Sequence, residues 1–457
     1  MLTIALLAAA IQGLPVCLPE DHGGRAGDDA LDTSAIQAAV DACAGTGGTV
    51  VLGPGRWEAA QVTLGSRMTF KLAAGATYAL IPDAGLYEPL PGQEGTEANH
   101  VKRPAIQAFG VEGLRVEGPG RVLGRGEAFW DEGFLASGRS RPSLPRAMPM
   151  LHLEDCRGVV VDGLTIHASP GYGVAFTGCD GVRALDVTVR NDARSPNTDG
   201  IQVRDSRNVF IERADINTGD DAIVLKSHGA VVENVVVTDS VLRSDDAAIK
   251  FGTGSRVGVR NAVFTDTVIR DSRYGIAIFA IDGGTHRDVR FDGLLVETGG
   301  RHARTYPVFV DVDRREADRD WSVIDGLTLE GLDVRTDGAA LIAGNPASPI
   351  RNLVLRDVNV RRRDEPEDLS RAGGKPRGNA RIAAQDGSRD YARVPADLVI
   401  AHADGVVLDG VALPPCAGGR VGIALIDVTG LTSDEVPARA PGLVPGEDDA
   451  RRIGGCD

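Results

Sequence analysis

Short segments that alternate apolar and polar residues recur along this chain, and several align when set one above another. Five of them are Y-G-V-A-F (172–176), D-G-I-Q-V (199–203), D-A-I-V-L (221–225), A-A-I-K-F (247–251) and Y-G-I-A-I (274–278). Counted from the second residue of each, their spacings are 27, 22, 26 and 27 residues. A second series runs between them: 158–166, 181–189, 208–216 and 230–242, each reading as two short strands joined by a bend. A period of that length with period-two alternation predicts two or three strands per repeat, each pairing in parallel with the repeats above and below. No single repeat can bury its own apolar face, so many must stack. The expected fold is all-β: a single-stranded, right-handed parallel β-helix.

Further copies at 110–118, 288–296, 326–334, 349–360 and 405–413 extend the solenoid, which is expected over residues 17–430. Thr33 to Ala44 starts with Thr-Ser and carries apolar residues at helical spacing, which predicts a short amphipathic helix capping the N-terminal end. Residues 361–394 are rich in charge, Gly and Pro and lack the repeat, so they are expected to leave the helix as a long surface excursion. Residues 431–457 read as a C-terminal tail. The apolar run Leu2 to Ala10 reads either as a signal-peptide core within residues 1–16, without a preceding Lys or Arg, or as a buried first strand.

Composition narrows the partners. The 457 residues carry a net charge of -15 and no basic stripe, which argues against nucleic acid. No later segment reaches membrane-spanning length. An acidic protein still binds an acidic polymer where its cleft is locally basic. The six cysteines show no metal-ligand spacing; Cys17 with Cys43 and Cys416 with Cys456 are candidate staples near the two ends, and buried free thiols are the alternative.

The candidate chemistry lies just before the aligned strands, where Asn197-Thr198-Asp199, Gly219-Asp220-Asp221 and Asp245-Asp246-Ala247 follow one another on successive coils. Stacking puts Asp199 and Asp221 in one column, Asp220 beside them and Asp246 one coil beyond. A single Asp at such a bend is explained by its tolerance of turn geometry; four on adjacent coils call for another reason. Carboxylates this close cannot all ionise freely, so one keeps a proton to donate while another stays a base, the pairing that glycoside hydrolysis requires. The same carboxylates could instead hold calcium.

S-P-N-T-D-G (195–200) and T-G-D-D-A-I-V-L-K-S (218–227), with G-R-G-E-A-F-W (124–130) and G-G-T-V-V-L-G-P-G-R-W (47–57), resemble the polygalacturonases of glycoside hydrolase family 28. The resemblance implies an inverting hydrolase of a pectin-like glycan that uses no cofactor or metal. Asp220 would be the general acid, and Asp199 and Asp221 would activate water across a gap of roughly 6.5–9.5 Å between acid and base. Asn197, Lys226, Asp246, Lys250 and Arg273 are the candidate substrate-binding residues.

Two departures stand out. The family's Gly-His-Gly is replaced by Asp245-Asp246-Ala247-Ala248, and its Arg-x-Lys, which binds a uronate carboxylate, by Gly275-Ile276-Ala277. Lys250, expected within one strand position of Lys226 on the next coil, and Arg273 are candidate replacements for the lost cations. His228 is a candidate for the lost imidazole, and Tyr172 and Tyr274 for stacking on a sugar ring. A polysaccharide lyase or epimerase and a non-catalytic carbohydrate-binding helix are the alternatives, since one scaffold hosts many chemistries.

Overall fold

The computed structural model describes residues 13–93, 96, 100–130, 145–299, 305–363, 391, 394, 396–415, 421–434 and 451–453. Within them the chain winds into stacked coils. Val174 lies beside Ile201, Ile201 beside Ile223, Ile223 beside Ile249 and Ile249 beside Ile276, all in parallel register, so the repeat spacing is the coil length. The all-β parallel helix expected from the alternation is the fold observed.

Each central coil contributes one strand to each of three parallel sheets. One coil supplies Ile201–Arg204 to the first sheet, Arg207–Glu212 to the second and Asp215–Thr218 to the third. The next supplies Ile223–Lys226, Val232–Thr238 and Val241–Ser244. Inward-pointing residues of all three fill one continuous core, in which Phe264 and Phe291 stack at 5.0 Å and Phe251 packs on both.

The bends near the start of the second-sheet strands use residues that tolerate left-handed backbone. Asn208, Asn234 and Asn261 occupy the same bend on successive coils at φ 55°, 55° and 52°. Each amide reaches the one below it, Asn234 Nδ2 to Asn208 Oδ1 at 3.0 Å and Asn261 Nδ2 to Asn234 Oδ1 at 3.3 Å. Asparagine satisfies both demands, because it enters this backbone region cheaply and carries a donor and an acceptor.

The capping helix spans Thr33–Cys43 and buries Ile36, Ala39, Val40 and Cys43 over the first coil. Cys43 is bonded to Cys17, which lies in a short strand, Val16–Cys17, at the edge of the first coils. The Thr33 hydroxyl accepts the Ala60 N–H at 2.8 Å and ties the helix to the coil it covers. Residues 1–12 and the Cys416 and Cys456 pairing lie outside the described residues. At the other end, Thr432–Ser433 pairs in parallel with Val407 and Leu408, and Arg451–Ile453 runs antiparallel to Val421–Thr429, so part of the stretch read as a tail joins the sheet. Of the expected excursion, Tyr391 and Val394 pack on the outside of the first sheet.

Candidate active site

The outer face of the first sheet carries the acids. The Gly200 N–H donates to the Asp221 carbonyl, and Ile201 lies beside Ile223, which stacks Asp199 directly under Asp221. Asp220 precedes Asp221, and Asp246 follows one coil later. Asp199, Asp220 and Asp221 bring one oxygen each within 4.8 Å of one another. Together with Asp246, Asn197, Lys226, Lys250, Tyr172, His100, Gly252 and Thr253, they line a pocket of about 340 Å³.

Each acid is held differently. Asp199 Oδ2 accepts the Gln202 side-chain amide at 2.8 Å and lies 3.8 Å from Lys226 Nζ. Asp221 Oδ1 accepts Lys250 Nζ at 3.0 Å. The same ammonium reaches Asp246 Oδ2 at 3.2 Å, and Arg273 reaches Asp246 Oδ1 at 3.4 Å. Asp220 receives the Asn197 amide at 3.3 Å and the Asp221 N–H at 3.0 Å. Among the described residues it alone of the four acids has no cation at ion-pair distance.

Burial raises Asp220 to about 7, with the charges of Asp199 and Asp246 adding to the effect and those of Lys250 and Lys226 opposing it. Burial also pushes Asp221 well above the carboxylate range, against the pull of Lys250. Lys250 is buried too, but the acids around it hold its ammonium well above its usual range. Asp220 and Asp221 therefore titrate as a pair that keeps a proton into the neutral range. The two differ in their partners: Asp221 faces the Lys250 ammonium, and Asp220 faces neutral donors alone.

The bend that presents these acids is held from behind by Thr198 and Arg146. Thr198 is fully buried, and its hydroxyl accepts the Gly219 N–H at 3.1 Å, locking the Asp199 bend to the Asp220 bend. Asn197 sits in left-handed backbone at φ 50°, and its Oδ1 accepts Arg146 Nη2 at 2.9 Å. Arg146, fully buried, also donates to the Pro170 and Pro196 carbonyls, both at 2.9 Å.

Several expectations need correction. Lys250 lies beside Val224, not beside Lys226 or its neighbours; the two lysines are two strand positions apart and so share the outer face. Arg273 does not line the pocket but backs Asp246 and lies 4.9 Å over the Tyr274 ring. Tyr274 is buried against Tyr306 at 5.5 Å, so no sugar can stack on it, whereas Tyr172 does reach the pocket. His228 is exposed beside Arg256 and does not line the pocket.

Arg146 and His100 escaped the sequence reading because they stand on segments outside the repeat. Gln202 sits inside the aligned segment D-G-I-Q-V, where extending the column comparison along the strand would have found it. The three carboxylates are close enough to share a metal ion, but Lys226 and Lys250 already meet the charge of Asp199 and Asp221.

The sequence profile of glycosyl hydrolases family 28 matches residues 49–318, more than half of the chain. An endo-polygalacturonase of Pectobacterium carotovorum subsp. carotovorum is 24% identical over 360 residues, covering 73% of this chain and 85% of that protein. Among solved structures, an exopolygalacturonase from Thermotoga maritima superposes with a TM-score of 0.64 at 18% identity, over 76% of this chain and 87% of that one. A family 28 exopolygalacturonase from Yersinia enterocolitica superposes with a TM-score of 0.67 at 16% identity, over 91% and 78%. The fold is that of these right-handed parallel β-helices, and the chain belongs to glycosyl hydrolases family 28, as a polygalacturonase-like glycosidase.

Proposed function

We propose that this protein hydrolyses glycosidic bonds of a pectin-like glycan, with Asp220 as general acid and Asp199 and Asp221 holding the attacking water. One observation carries the assignment: Asp220 alone of the clustered acids has no cation at ion-pair distance among the described residues, so the proton of the cluster rests there. It passes to the leaving oxygen as the bond to the anomeric carbon breaks. Asp199 and Asp221, pinned by Gln202, Lys226 and Lys250, hold one water between them and take up its proton as it attacks. Asn197, Lys226, Asp246 and Lys250 line the pocket and contact substrate, while Arg273 positions Asp246.

The 4.8 Å clustering favours a second reading, retention, in which Asp199 or Asp221 attacks the sugar directly. Inversion remains the better account, because both carboxylates have an oxygen committed to a donor and together form a cradle for water. Proton NMR of the first-formed reducing sugar separates the two, since inversion releases the anomer opposite to that of the substrate.

The assignment of Asp220 is tested by Asp220→Asn on pectic and neutral polysaccharides, measured by new reducing ends. A fall in kcat of roughly 10²–10⁴ is expected, as for loss of a general acid. Equal release by both proteins sinks the assignment. Export from the cell fits both a polymeric substrate and the Cys17–Cys43 disulfide, which persists in oxidising compartments. Among the described residues no helix is long and apolar enough to cross a membrane.

A further inference from the structure

A chain that turns away from a sheet gives up the backbone partners its strands share, so other contacts must fix its path. Where the strand Ala247–Phe251 ends, the chain passes through Gly252-Thr253-Gly254, and Gly252 and Thr253 line the pocket beside the acids. Gly252 and Gly254 stand at φ 86° and 91°, in backbone that glycine enters freely and that therefore depends on outside contacts to persist. The Gly252 N–H still donates to the Leu225 carbonyl of the coil before, at 2.9 Å. The Gly254 N–H donates instead to a side chain of the coil after, Asp282 Oδ2, at 2.6 Å.

Asp282 is only 5% exposed, and a buried carboxylate is costly unless it is paired. Arg315 pairs it: Nε donates to Asp282 Oδ1 at 2.7 Å, and Nη2 reaches the same oxygen. The backbone N–H of Arg315 donates to the Ile281 carbonyl at 2.8 Å, so the arginine starts beside the acid it holds. The two carboxylate oxygens are thus divided, one to the guanidinium and one to the turn. A hydrogen bond from a backbone N–H to a charged carboxylate is stronger than one to a carbonyl, which suits a turn with no stiffness of its own.

The turn one coil earlier shows the contrast. There Asp205 Oδ1 accepts the N–H groups of His228, Gly229 and Ala230 at 2.6, 3.0 and 3.1 Å, in an exposed position, and none of the three lines the pocket with the acids. Of the two turns, the one that borders the pocket is the one held by a buried ion pair. Such a pair adds little net stability, but it fixes geometry. The turn also lies tight against the strand Tyr274–Ala280, since a Cβ on Gly252 would come within 2.8 Å of the Phe279 carbonyl.

We propose that Asp282, clamped by Arg315, is a positioning residue: through the Gly254 N–H it fixes the Gly252-Thr253-Gly254 turn as the wall of the pocket against which a sugar is held beside the acids. Its effect on turnover rests on the hydrolytic reading above; its effect on binding does not.

Two double variants test the clamp, each removing both charges so that no buried ion is left alone. Asp282→Leu with Arg315→Met takes away the acceptor for the Gly254 N–H, whereas Asp282→Asn with Arg315→Gln keeps one. On polygalacturonate, followed by new reducing ends, the Leu/Met protein is expected to show a KM raised roughly tenfold with kcat within about threefold of wild type, because the acids keep their places and binding alone loses a wall. The Asn/Gln protein is expected to return KM to within about threefold of wild type. The alkaline limb of the rate is expected to stay near pH 7 in both, because burial and the charges of Asp199, Asp246, Lys250 and Lys226 set Asp220. An unchanged KM in the Leu/Met protein, an equal rise in both proteins, or a displaced limb overturns the proposal. A wild type that releases no reducing ends sinks hydrolysis instead; calorimetry with a galacturonic acid trimer then decides the clamp, with Kd expected to rise roughly tenfold in the Leu/Met protein and an unchanged Kd overturning it.

Discussion

At the scale of single residues, the pocket depends on how a small set of charges shares one proton. Asp220 is raised to about 7 by burial, so the acid form is populated below that pH and lost above it. The rate is therefore expected to fall on the alkaline side with an apparent pKa near 7. Because the raised pKa belongs to the folded state, Asp220 contributes stability that is complete below about pH 4 and is lost as pH rises to about 7. Asp220→Asn, which cannot ionise, should thus gain stability relative to wild type across that interval, visible in melting temperatures taken at pH 4 and pH 8. Lys250 opposes the rise at Asp220. Lys250→Met is expected to move the alkaline limb of kcat upward while lowering kcat itself, since Asp221 loses its 3.0 Å partner. An unmoved limb would show that Lys250 does not act on the acid.

At the scale of elements, the bends matter as much as the strands. The Asn208, Asn234 and Asn261 ladder runs along the start of the second sheet on three coils, with each residue in left-handed backbone. Asn234→Ala loses two amide contacts and keeps a Cβ in left-handed backbone without the polar side chain that eases it, at a cost of roughly 1–2 kcal/mol. Asn234→Gly loses the same contacts but has no Cβ to strain the bend. Chemical denaturation should therefore rank wild type above Gly and Gly above Ala. The acid bends follow the same rule with a different outcome: buried Thr198 and Arg146 use up the local hydrogen bonds, which frees the carboxylates of Asp199 and Asp220 to face the pocket.

At the scale of the whole molecule, stacked coils are stable only where their ends are closed. The capping helix covers the first coil, and the Cys17–Cys43 disulfide, with a sequence separation of 26, fastens it there. Replacing both cysteines with serine is expected to cost about 3 kcal/mol. Hydrogen exchange should show the loss first in the coils next to the helix; uniform loss along the solenoid would mean that the cap acts on the whole stack at once.

The strand alternation and the spacing of 27, 22, 26 and 27 residues were enough to define the coils and to bring Asp199, Asp220, Asp221 and Asp246 together. Both are properties of a fold whose neighbours in space are one period apart in sequence. Asp199, Asp220 and Asp221 could be found for the same reason, and so could Lys226 and Lys250, although Lys250 falls beside Val224, two strand positions from Lys226. What stands outside the repeat had no such guide. Arg146 behind Asn197 and His100 at the pocket stand on loops whose paths no periodicity records, as do Tyr391 and Val394 against the later coils. Tertiary structure alone therefore decided which charges have partners and which side chains share the pocket with the acids.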